Sequence, residues 1–168
     1  MWPPLRFALI ALSFVFILSR AEAQDYPARG TTILVPFAPG GGTDVIARAV
    51  GHKLEQRLGK PFLIENRPGA GTSIAATATA KAPPDGYTLM QATSGTMAMT
   101  PTIYKSVPYD PDKDLTPVAL VAGVPFILVV HPSLGVKSVA ELVAVAKQRT
   151  LTYGSGGAVS RQQTSSRR

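Results

Sequence analysis

The chain has 168 residues, 45% of them hydrophobic, with 17 Lys and Arg against 10 Asp and Glu for a net charge of +7. It contains no cysteine, which excludes disulfides, thiolate metal sites and cysteine nucleophiles. Apart from Arg161, Arg167 and Arg168 near its end, the basic residues are spread singly and without the stacking aromatics of a nucleic-acid surface, so nucleic acid is excluded as a partner.

In chain order, Arg6 precedes an apolar run from Phe7 to Leu18, and Ala21-Glu22-Ala23 supplies small residues at the cleavage positions of a secretory signal. Residues 1–23 are therefore predicted to be removed, leaving Gln24 first. The run is shorter than the roughly 18 to 20 apolar residues that span a bilayer. In a bacterial setting, export of a cysteine-free chain points to the periplasm.

Thr31 to Phe37 is β-branched and apolar and predicts a strand. A glycine-rich turn follows, and Ile46, Val50, Leu54 and Leu58 then recur at helical spacing up to Gly59. Pro61 to Glu65 predicts a second strand, Asn66 to Gly69 a turn, and Ala70 to Lys81 a helix of small residues able to sit close to a sheet. Tyr87 to Thr93 predicts a third strand, and Ser94-Gly95-Thr96 opens a helix through Ile103. Residues 107–117 are irregular and rich in proline; Asp110, Asp112 and Asp114 read as a solvated turn rather than a metal site. Val118 to Val121 and Phe126 to His131 predict strands, and Lys137 to Gln148 a helix with Ser138 as N-cap and Val139, Leu142, Val143 and Ala146 on one face. Alternating strands and helices make this an α/β fold with a mainly parallel sheet, whose ligands sit beyond the carboxyl ends of the strands.

Three loops fall at that edge. In Phe37-Ala38-Pro39-Gly40-Gly41-Gly42-Thr43-Asp44 the glycines allow close approach to the main chain, and the helix that follows adds free N–H groups and a positive dipole end. Together they suit a carboxylate or phosphate with no cationic side chain. Asp44 reads as a helix cap whose charge disfavours highly charged anions and favours a ligand with an amino or hydroxyl donor. No lysine follows the glycines as a P-loop requires, and Gly-x-Gly-x-x-Gly is not met, so no nucleotide cofactor is expected. Thr93-Ser94-Gly95-Thr96 and Ser155-Gly156-Gly157 form the second and third loops. Tyr153-Gly154-Ser155-Gly156-Gly157 misses the hydrolase elbow at its first position, which leaves a serine hydrolase acting through Ser94 or Ser155 as a minor alternative.

Tyr26-Pro27, Val35 to Asp44, Ala47-Arg48, Glu65-Asn-Arg-Pro-Gly-Ala-Gly, Pro84-Asp-Gly-Tyr-Thr-Leu and Tyr153-Gly-Ser, in this order, resemble the Bug family of extracytoplasmic solute receptors for tripartite tricarboxylate transporters. The resemblance implies a periplasmic binding protein of two α/β lobes, monomeric and without cofactor or metal. It would hold a small carboxylate between Phe37 to Asp44 and Ser155 to Gly157, with Thr93 to Thr96 lining the cleft, and pass it to membrane transporter subunits. A carboxylate sensor serving a signalling partner is the alternative use of the same fold. The first lobe is expected over residues 24–122 and the start of the second over 123–157. Beyond that the family pattern lapses: Val159 stands where a glycine is expected and Gln163 where a histidine is, and Thr164 to Arg168 contains no apolar residue. Residues 158–168 are accordingly expected to be an aberrant or disordered tail, from a frameshift that truncates the receptor.

Overall fold

The computed structural model describes residues 25–125 and 127–154. Three parallel strands, β1 (Thr31–Val35), β2 (Phe62–Asn66) and β3 (Thr88–Met90), form one sheet in the order β2-β1-β3. Helix α1 (Gly42–Leu58) connects β1 to β2 and helix α2 (Ser73–Ala80) connects β2 to β3. Thr31 pairs with Phe62 and Val35 with Asn66 on one side, and Thr32 pairs with Thr88 on the other. Because β1 is central and covered, four of its five residues are buried, as a continuous apolar strand should be. Edge strand β2 alternates instead, leaving Leu63 61% exposed.

The core joins Ile33 and Val35 of β1 to Ala47 of α1 and Phe62 of β2, with Leu54, Ile64 and Leu89 packed around it. Helix α1 seats on β2 through Gly51: a Cβ there would lie 3.1 Å from Ile64 Cδ1 and 3.4 Å from the Phe62 carbonyl oxygen. Small residues do the same for α2, where Ala75 and Ala76 are fully buried. At the other end of the strands, Tyr26 donates to the Gly86 carbonyl at 2.7 Å, and the Arg29 guanidinium lies 4.2 Å over the Tyr87 ring while bonding Asp85 at 3.0 Å. These contacts tie residues 26–29 beneath the sheet.

Several expected elements differ. Asn66 closes β2 rather than opening a turn. The helix expected from Ala70 starts only at Ser73, because Gly69, Ala70, Gly71 and Thr72 all have positive φ (122°, 45°, 61° and 82°), a left-handed run that a right-handed helix cannot contain. The third strand contracts to three residues; its last bond to β1 is from the Gln91 amide to the Leu34 carbonyl. The helix after Ser94 is wound as a π-turn over Gly95–Met99 and only then as α3 (Thr100–Ile103). Pro101 has no N–H to give to the carbonyl four residues back, and the Thr100 amide reaches Gly95 instead.

The irregular segment is pinned by Tyr109, 5% exposed, whose hydroxyl donates to the Thr96 carbonyl at 2.7 Å. Thr100 Oγ1 likewise donates to the Gly71 carbonyl, so a small polar core underlies the π-turn. Asp110 to Asp114 form the expected turn, with Asp110 paired to Lys113 at 2.9 Å.

The strands expected at Val118 to Val121 and Phe126 to His131 do not form among the described residues. A strand needs a ladder partner, and no described segment supplies one; Val118, Leu120, Ile127 and Val129 stand 79% to 94% exposed. Helix α4 (Val139–Gln148) forms as expected, with Ser138 Oγ accepting from the Glu141 amide at 3.2 Å. None of its residues is buried. The expected signal segment 1–23, Ser155 to Gly157 and the expected tail 158–168 lie outside the described residues.

Candidate functional site

All three strands run the same way, so the loops leaving β1, β2 and β3 gather at one edge of the sheet. The loop after β1 is open to solvent. Ala38, Pro39, Gly40, Gly41 and Gly42 are exposed, Phe37 and Thr43 half-buried, and Asp44 is buried at 2% exposure. Gly40 has φ +86°, a conformation that side chains rarely adopt, and Cβ atoms added at Gly40 or Gly42 would meet nothing within 4 Å. The main chain here therefore borders open space.

Helix α1 begins at Gly42 with Gly41 as N-cap and no capping side chain. Its first bond runs from the Val45 amide to the Gly41 carbonyl at 3.0 Å, leaving the amides of Gly42, Thr43 and Asp44 without an intrahelical acceptor. Exposed amides at a helix start, beside the positive end of its dipole, favour an anion.

Asp44 is not the cap expected of it. As the third residue of α1 it turns inward and backward: Oδ2 accepts from the Gly40 amide and from Arg48 Nε, both at 2.9 Å, and Oδ1 accepts from Asn66 Nδ2 at 2.9 Å. The Arg48 hydrogen bond, then the Gly40 amide and Asn66, hold its carboxyl well below the usual carboxylate range. The same pairing raises the pKa of Arg48. The Asp44 charge is thus paired, three hydrogen bonds use most of its acceptor capacity and its side chain is buried, so it repels an incoming carboxylate far less than an isolated aspartate would.

Asn66 and Arg48 are the residues that sequence reasoning did not place in the site. Arg48 lies one helical turn from Asp44, a spacing that signals an ion pair. Asn66 carries no local signal, since its partners are 22 and 29 residues away.

Beside the first loop, Ser94 is exposed and Thr93 and Gly95 are half-buried, whereas Thr96 is fully buried. Thr96 Oγ1 accepts from the Thr93 amide at 3.4 Å, and its carbonyl holds Tyr109. Its side chain shapes the loop from beneath. A separate open groove of about 460 Å³ is lined by residues including Ile74, Lys81, Tyr104 and Pro108; it shares no residue with the glycine loop and is predominantly apolar.

A family model described as tripartite tricarboxylate transporter family receptor matches residues 46–167. Protein BugT of Bordetella pertussis is 41% identical over 147 residues, covering 84% of this chain and 45% of its own length. Among solved structures, Rpa4515 of R. palustris with adipate superposes with a TM-score of 0.78 at 43% identity, over 81% of this chain and 46% of that one. MatC (Rpa3494) from Rhodopseudomonas palustris with bound malate superposes at 0.68 and 39% identity, over 73% of this chain and 42% of that one. The chain spans just under half the length of these relatives.

Proposed function

The chain belongs to the tripartite tricarboxylate transporter family of receptors, with a fold of periplasmic binding protein type, and from that premise we propose that it is an exported periplasmic receptor for a small carboxylate. It holds the ligand with the main-chain amides that follow Gly41 and delivers it to membrane transporter subunits, by binding and not by chemistry. The observation that carries this reading is the open glycine loop whose buried Asp44 carboxylate is already charge-paired with Arg48 and hydrogen-bonded by Asn66. Two neighbours with this fold hold malate and adipate, both small dicarboxylates. Thr93 to Gly95 would flank the ligand from the loop after β3, and Ser155 to Gly157 would close on it from a second lobe that begins near residue 123.

Thermal unfolding of the chain in millimolar malate or adipate tests this. A melting temperature that rises with ligand concentration is expected. Gly41→Val should abolish that rise while leaving the ligand-free transition in place, because Gly41 has φ −77° and its added Cβ would lie 3.8 Å from the nearest atom, the Ala38 carbonyl oxygen. No shift with malate, adipate or a panel of mono-, di- and tricarboxylates would remove the reading.

A further inference from the structure

Within itself the glycine loop is held by one side-chain bond, from the Gly40 amide to Asp44. Glycines lose more conformational freedom on ordering than any other residue, so three in succession leave the loop floppy unless something outside it supplies order. That something is a side chain on β2. Asn66 is locked into the sheet by its pairing with Val35, and the next amide, that of Arg67, donates to the Val35 carbonyl at 2.8 Å. From this fixed base the Asn66 Nδ2 group donates to the Phe37 carbonyl at 3.0 Å and to Asp44 Oδ1 at 2.9 Å. Its Oδ1 accepts from Arg48 Nη2 at 3.2 Å. One carboxamide thus grips the loop where it leaves β1, the carboxylate that returns to the Gly40 amide, and the cation that neutralises that carboxylate.

We propose that Asn66 is the positioning residue of the cradle, fixing the Phe37 to Gly40 main chain so that the α1 amides stand ready for an anion, a role that rests on the carboxylate reading above. The requirement is specific to a carboxamide. Two donors and one acceptor are used together; an aspartate offers one donor at most, and when ionised it would face Asp44 with a like charge. With the loop pre-ordered, a ligand does not have to overcome the entropy of folding the glycines around it.

The test compares the wild-type chain with Asn66→Ala and Asn66→Asp by amide hydrogen exchange over residues 37–44 and by calorimetric titration with malate and adipate. Asn66→Ala is expected to speed exchange of the Gly40 amide, and to weaken carboxylate binding, each by about tenfold. Exchange across β1 and β3 should stay unchanged. Asn66→Asp supplies a readout that a merely structural role would not move. Corrected for intrinsic rates, its loop exchange should be slow near pH 4, where the new carboxyl can be protonated and donate to Asp44, and should rise toward pH 7, while wild type stays flat. If Asn66→Ala proves too unstable to examine, this pH profile alone decides. Unchanged Gly40 protection, a flat pH profile in Asn66→Asp, or loosening spread evenly over the sheet would overturn the proposal. If wild type binds neither dicarboxylate, the carboxylate reading fails, and the exchange data still decide whether Asn66 orders the loop.

Discussion

Residues 31–110 and 111–154 carry similar sequence patterns and reach different ends. In the first stretch, apolar strands and helices with small faces find each other, and Val35, Ala47, Ala75 and Ala76 lose all contact with solvent. In the second, equally apolar segments and a well-capped amphipathic helix bury no described residue at all. The pattern of a segment states what it could bury, whereas burial depends on a partner within reach. Both stretches align with relatives more than twice the length of this chain's match to them.

The contrast can be tested from its strongest point downward. Phe62→Ala removes the buried aromatic ring of the cluster that also holds Ile33, Val35 and Ala47 and should cost about 3 to 5 kcal/mol in urea unfolding; a loss under about 1 kcal/mol would mean that the first stretch has no continuous core. Asp44→Asn should lower stability at neutral pH, and its deficit should narrow in acid. The folded carboxyl is held below its ordinary range, so its contribution is complete above about pH 4 and is lost as pH falls below that. Melting curves from pH 2 to 7 would show the gap beginning to narrow below about pH 4; a constant gap would assign Asp44 a role unrelated to its charge. The smallest effect belongs to the second stretch. Leu120→Ser, at a side chain 94% exposed, should shift stability by less than about 0.5 kcal/mol. A larger loss would show that Leu120 is covered in solution and would erase the contrast.

What the sequence disclosed follows the same division. The β-branched run at Thr31, the glycines at 40 to 42 and the helical spacing from Ile46 to Leu58 are local signals, and each produced its element. The left-handed conformations of Ala70 and Thr72 were hidden because neither residue type announces them. The π-winding before Thr100 was foreshadowed only by Pro101, which lacks an amide proton. The Asn66 contacts depend on two strands being adjacent, a fact no window of sequence contains. Val118 to His131 misled for the converse reason, since a continuous apolar run bounded by Gly and Pro reads as a strand whether or not another strand lies alongside.

The pairing of Asp44 with Arg48 also bears on how the site would behave as its surroundings change. With the two charges cancelled, the cradle presents an anion with peptide dipoles instead of a net charge, and such fields fade within the first helical turn. It would therefore do little to draw anions from a distance, and its hold on them should weaken only slightly as salt rises, because screening acts most on separated, exposed charges. A receptor built this way can keep nearly the same affinity in dilute and in salty water, relying on the shape of a loop where others rely on a field.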